Sequence, residues 1–99
     1  MIWATTTPII DELLNTPPWT YQGTESDVLT DNEVACQVMT RHDVPINDLH
    51  RVVEEAGKER SIVPADRPDD SPGIHLTDSG YDIVAKEIAA FLLRFQVLQ

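Results

Sequence analysis

The chain has 99 residues, 17 acidic side chains against seven basic ones, and a formal net charge of −10. That length allows one small domain with little core to spare, and the acidity argues against a nucleic-acid binder, because a phosphate backbone repels such a surface. A single cysteine, Cys36, excludes an intrachain disulfide, no Cys/His pattern suggests a zinc site, and no apolar run approaches the ~20 residues of a membrane helix.

Ile2-Trp3-Ala4-Thr5-Thr6-Thr7 is β-branched and aromatic and stops at Pro8, which predicts a short strand buried on both faces. No basic stretch precedes it, so no signal peptide is read at the start. Ile9 to Leu14 predicts a helical turn, broken by Asn15-Thr16-Pro17-Pro18. Trp19 to Ser26 is polar and reads as loop. Val28, Leu29, Val34, Ala35, Cys36, Val38 and Met39 then form a broad apolar stripe on a helix from about Asp27 to His42.

Asp43 to Asp48 predicts a second strand, kept short or at an edge by Pro45. Leu49, Val52, Val53 and Ala56 have helical spacing, and Gly57 is a C-terminal stop. Lys58 to Gly73, with Pro64, Pro68 and Pro72, reads as one long loop. Thr77 is a good N-cap for a last helix that runs to about Phe95. Its expected buried face is Ile83, Val84, Ile88, Phe91, Leu92 and Phe95, with Asp82 and Lys86 paired one turn apart.

The order strand, helix, strand, helix, loop, helix predicts an α/β fold with a parallel sheet. Two strands are few for such a sheet. The three helices offer more apolar face than two short strands cover. Residues 1–99 therefore read as the C-terminal part of a larger α/β domain, the alternative being a small acidic module that self-associates through its uncovered apolar surface.

His75, between an acidic loop and a helix start, is the candidate general base. Asp70 and Asp69 just upstream are candidates to orient it. His42 and His50 read as surface residues, and with Asp43 they have no recognisable metal-ligand spacing. Ser26, Ser61, Ser71 and Ser79 lack a nucleophile context. Cys36 reads as a small core hydrophobe, and Trp3 and Trp19 as packing. A base and an acid are present without a nucleophile.

Asp70-Ser71-Pro72-Gly73-Ile74-His75-Leu76-Thr77-Asp78-Ser79-Gly80-Tyr81 resembles the last block of the SGNH (GDSL-type) esterases and lipases. The match at His75, Leu76, Thr77, Gly80 and Tyr81 is specific. Ile2 to Pro8 is similar to the strand after that family's Asn block, Asn32-Glu33-Val34-Ala35 to the helix that follows, and Val44 to Leu49 to the last strand and its turn. The resemblance covers the whole chain and only the second half of a family domain.

It implies the C-terminal part of a flavodoxin-like three-layer fold. It also implies a Ser-His-Asp hydrolase of carboxylic or acetyl esters, small-molecule or carbohydrate, that uses no cofactor or metal. His75 would be the general base and Asp70 the orienting acid, with Asp69 as the fallback. The family's Ser, Gly and Asn blocks are absent, so this chain alone is expected to be inactive. The family's Asp stands three residues before its His, where this chain has Pro72. A two-residue insertion, Ser71-Pro72, would leave Asp70 in the role.

Overall fold

The structure is a computed structural model that describes residues 1–14, 23–64, 66 and 71–96. It is a mixed α/β chain, mostly helical, with two parallel strands among the described residues.

Of the β-favouring start, only Trp3–Ala4 (β1) forms a ladder, pairing in parallel with Ile46–Asn47 (β2) in the register Trp3 to Ile46 and Ala4 to Asn47. The strand is not buried on both faces: Trp3 and Ala4 are both exposed. Burial of a parallel strand needs cover from both layers and from a neighbour on each side, and among the described residues β1 has one neighbouring strand. Asp11–Leu14 (α1) is the expected helical turn, with Leu14 in the core.

The crossover between the strands is Glu25–Arg41 (α2). It starts two residues earlier than its apolar stripe predicts, because Thr24 is an N-cap whose hydroxyl accepts from Asp27 N–H at 3.1 Å. It ends where Asp43 turns left-handed at φ 56° and Val44 N–H returns to the Met39 carbonyl at 2.9 Å. No residue of α2 is fully buried, and Leu29, Val34 and Val38 face solvent. The expected core position of Cys36 is likewise corrected to a half-exposed one.

Leu49–Ala56 (α3) has the predicted bounds. Asp48 caps it by accepting from Arg51 N–H, and Gly57 closes it at φ 102°, a conformation that favours glycine.

The stretch read as one long loop contains structure. Lys58–Ser61 (α4) is a single helical turn, and Ile62 and Val63 behind it are among the most deeply buried residues. Ile62 bridges Leu76 in an antiparallel pair, with Val63 N–H donating to the His75 carbonyl and Thr77 N–H to the Ser61 carbonyl, each at 2.9 Å. Only segment 65 and 67–70 of this stretch lies outside the described residues.

Asp78–Gln96 (α5) follows, capped as expected by Thr77, whose hydroxyl accepts from Gly80 N–H at 3.1 Å. The pair Lys86–Asp82 forms at 2.8 Å. The buried face is narrower than its spacing predicts. Phe91 is buried, Ile83, Val84 and Phe95 are half-buried, and Ile88 and Leu92 are exposed at 38% and 51%. The reason is a shortage of partners: α5 packs on α3 and α4, two short helices that cover one stripe of it. The core is Ile9, Leu14, Leu49, Val53, Ile62, Val63 and Phe91, between the N-terminal segment and these three helices.

Candidate functional site

His75 is held by its backbone and offered by its side chain. Its carbonyl accepts from Val63 N–H, and its N–H points to the Ser71 carbonyl at 3.4 Å. Gly73, two residues before it, donates to the Val63 carbonyl at 2.9 Å and accepts from Ile10 N–H at 2.8 Å. Gly73 has φ 86°, and a Cβ there would lie 2.7 Å from the Leu14 nitrogen. The turn therefore needs glycine both for its conformation and for its close approach to α1. Ser71 is also left-handed at φ 54°, a costly conformation for a side-chain-bearing residue.

These contacts fix the backbone on both sides of His75, while its side chain is exposed. Among the described residues no side chain bonds its ring. Asp70 and Asp69, the expected orienting acids, lie outside the described residues.

Directly after His75, Thr77 donates its hydroxyl to the Arg60 carbonyl at 2.7 Å while capping α5. Gly80 lets the first turn of α5 rest on the Ser61 carbonyl, a contact that a Cβ would fill. Thr77 and Gly80, two residues of the His75 block, are thus the parts that seat the helix behind the histidine.

A second histidine sits in a network that the sequence reading missed. His50 is 6% exposed, not a surface residue. Its Nε2–H donates to Glu25 Oε1 at 3.2 Å, and Nδ1 lies 3.3 Å from Glu54 Oε2. Lys58 Nζ holds the other Glu25 oxygen at 2.7 Å. The His50 N–H donates to the Thr5 hydroxyl at 3.0 Å, and that hydroxyl donates to Asp48 Oδ1 at 3.0 Å. The network joins the end of β1, the first turn of α2, α3 and α4.

One signal was present for this burial: His50 stands three residues before Val53 and one after Leu49, on the apolar face of α3. Its partner Glu25, 25 residues away, was not predictable from local spacing. Glu25 and Lys58 also wall a cleft of about 290 Å³ together with Ile9, Ile10, Asp11, Glu12 and Glu59.

His42 and Asp43 lie elsewhere, in a groove of about 660 Å³ shared with Met1, Ile2, Val44, Pro45, Leu92 and Phe95. Among the described residues no three His, Cys, Asp or Glu side chains gather as metal ligands. Cys36 lines a shallow groove with Glu33, Gln37, Thr40 and Arg41; burial, and then the charge of Asp48, pushes its thiol up from the ordinary value. Among the described residues no helix is long and apolar enough to cross a membrane.

Neither a protein-family model nor a curated protein matches this chain.

Proposed function

We propose that the chain is the C-terminal part of an SGNH (GDSL-type) ester hydrolase, with His75 as its general base. The observation that carries the reading is the exposed His75 ring on a fixed backbone, immediately before a helix seated by Thr77 and Gly80. That arrangement gives a physical role to three residues of the block on which the resemblance rests. The parallel β1–α2–β2 unit agrees with a flavodoxin-like three-layer domain of which this chain contributes one side.

In this reading the nucleophilic Ser and the oxyanion donors come from the part of the domain that precedes these residues. His75 takes the Ser proton as the hydroxyl attacks the ester carbonyl, and returns it to the departing alcohol. Asp70, or Asp69 in its place, accepts from the second ring nitrogen and holds the tautomer. The substrate class is a carboxylic ester, acetyl esters of small molecules or carbohydrates first, and the chemistry requires no metal.

The test has two arms. The 99-residue chain should hydrolyse p-nitrophenyl acetate no faster than free imidazole. The protein isolated from its natural host should have about twice this mass and react with a fluorophosphonate probe. His75→Ala in that protein should cut turnover by roughly 10³-fold or more. Turnover by the 99-residue chain that is lost on His75→Ala, or a host protein that the probe does not label, would overturn the reading.

The exposed Leu29, Val34 and Val38 of α2 and Ile88, Leu92 and Leu93 of α5 favour a second reading, a non-catalytic module that binds a partner chain.

A further inference from the structure

We infer that the outer edge of β1 is a self-association site, occupied by β1 of a second copy of this chain in antiparallel pairing. Trp3 and Thr5 direct their N–H groups to β2, donating to the Pro45 carbonyl at 2.9 Å and the Asn47 carbonyl at 3.1 Å. Backbone groups alternate between the two edges of a strand, so Ile2, Ala4 and Thr6 address the opposite side.

At Thr6 that side is closed by a side chain. Asn32 of α2 accepts from Thr6 N–H and donates to the Thr6 carbonyl, both at 2.9 Å, as a neighbouring strand would. The N–H and C=O groups of Ile2 and Ala4 have no hydrogen bond among the described residues, and Ala4 is exposed. Four backbone groups are therefore presented in a row, ending at an amide that stops the ladder from running further.

The charge pattern selects the occupant. Strand edges are normally guarded by a charged side chain, a proline within the strand or a bulge. Residues 1–10 carry no charged side chain, although the chain as a whole has a formal net charge of −10. Two acidic copies repel over most of their surfaces, and this edge, which carries no acidic side chain, is where they can approach.

A two-fold axis normal to the sheet makes the contact self-complementary. It sets Ile2 opposite Ala4 of the partner subunit and Ala4 opposite Ile2 of the partner subunit. All four open groups of each copy are then used. The marginal two-stranded sheet becomes four-stranded, above the size at which a sheet is stable in water. In the hydrolase reading a preceding strand takes this same edge, so the inference belongs with the second reading, a non-catalytic module. Mass and amide exchange decide it, probe labelling and His75→Ala decide the hydrolase, and the two failures are separately visible.

Sedimentation equilibrium of the 99-residue chain across the micromolar range tests it. The expected mass at high concentration is twice 11.1 kDa. Added salt should strengthen the dimer by screening self-repulsion. Ala4→Pro removes the outward N–H and leaves the Trp3 and Thr5 bonds in place. It should weaken association at least about tenfold with an unchanged far-UV circular dichroism spectrum.

Hydrogen exchange on the unmodified chain decides independently, including the case in which Ala4→Pro does not fold. The Ala4 amide should slow with rising protein concentration, while the Thr5 amide, already bonded to β2, should not change. A chain that stays monomeric overturns the inference. So does a dimer in which the Ala4 amide exchanges as fast as in the monomer.

Discussion

A methyl group at position 80 would collide with the carbonyl oxygen of Ser61, in the first turn of α5. Ser61 is itself fully buried, and its carbonyl is held by Thr77 N–H at 2.9 Å, so the clash cannot be relieved by a rotating side chain. Gly80→Ala should therefore cost about 1–3 kcal/mol, the scale of overpacking in a tight interior, read as a lower urea midpoint. An unchanged midpoint would mean that α5 slides to accept the methyl group. Cys36 gives the opposite kind of residue-scale effect. Burial, then Asp48, pushes its thiol above the ordinary value of 9.0, and the thiolate is the reactive form. Iodoacetamide should alkylate Cys36 more slowly than it alkylates free cysteine at mildly alkaline pH. Because the folded chain holds this proton more tightly than the unfolded one, the associated stability is complete below 9.0 and declines as pH rises through the raised folded value. Cys36→Ala should remove that decline in a pH series of urea midpoints.

At the scale of elements, His50 and its acids tie together pieces that share little apolar contact. Glu25 is 17% exposed and carries both His50 and Lys58, whereas Glu54 is 52% exposed. Removing Glu25 leaves a buried imidazole N–H and a lysine without their acceptor, at a cost of about 1–3 kcal/mol. Removing Glu54 gives up a solvated pair worth about 1 kcal/mol or less. Urea midpoints of Glu25→Ala and Glu54→Ala should fall in that order, and the reverse order would mean that the α3 pair holds the histidine. The same network shows where sequence reading stops. The bounds of α3 were legible because Asp48, the Leu49–Val53 spacing and Gly57 are all local signals. The cap at Thr77 was legible for the same reason. One turn of helix at Lys58-Glu59-Arg60-Ser61 was not, because it carries no apolar period. The exposure of Ile88 and Leu92 was not legible either, because periodicity describes a helix face without saying how wide a partner waits for it. Of the candidate site, the turn before α5 was legible from its block. The burial of His50 was hidden, since its partner comes from another element.

At the scale of the whole molecule, the chain is long for its mass. Its extents are 47 × 26 × 19 Å and its radius of gyration is 14.8 Å, against about 13 Å for a compact domain of 100 residues. The elongation follows from two helices of 17 and 19 residues that exceed the short elements beneath them. Their overhanging apolar residues and the open edge of β1 are two expressions of one shortage, too little sheet for the helices present. Both of the readings proposed for this chain supply the missing layer with polypeptide: further strands of a hydrolase domain in one case, a second copy in the other.

The antiparallel pairing of Ile62 with Leu76 has a further consequence. Val63 is bonded through its N–H to His75 and through its carbonyl to Gly73, so the chain leaves and re-enters the core through one closed clasp. Once such a clasp is made, the length of chain it encloses matters little: doubling a loop costs only about 0.6 kcal/mol in closure entropy. The stretch between Val63 and Gly73 can therefore gain or lose residues while the backbone of His75 keeps its place.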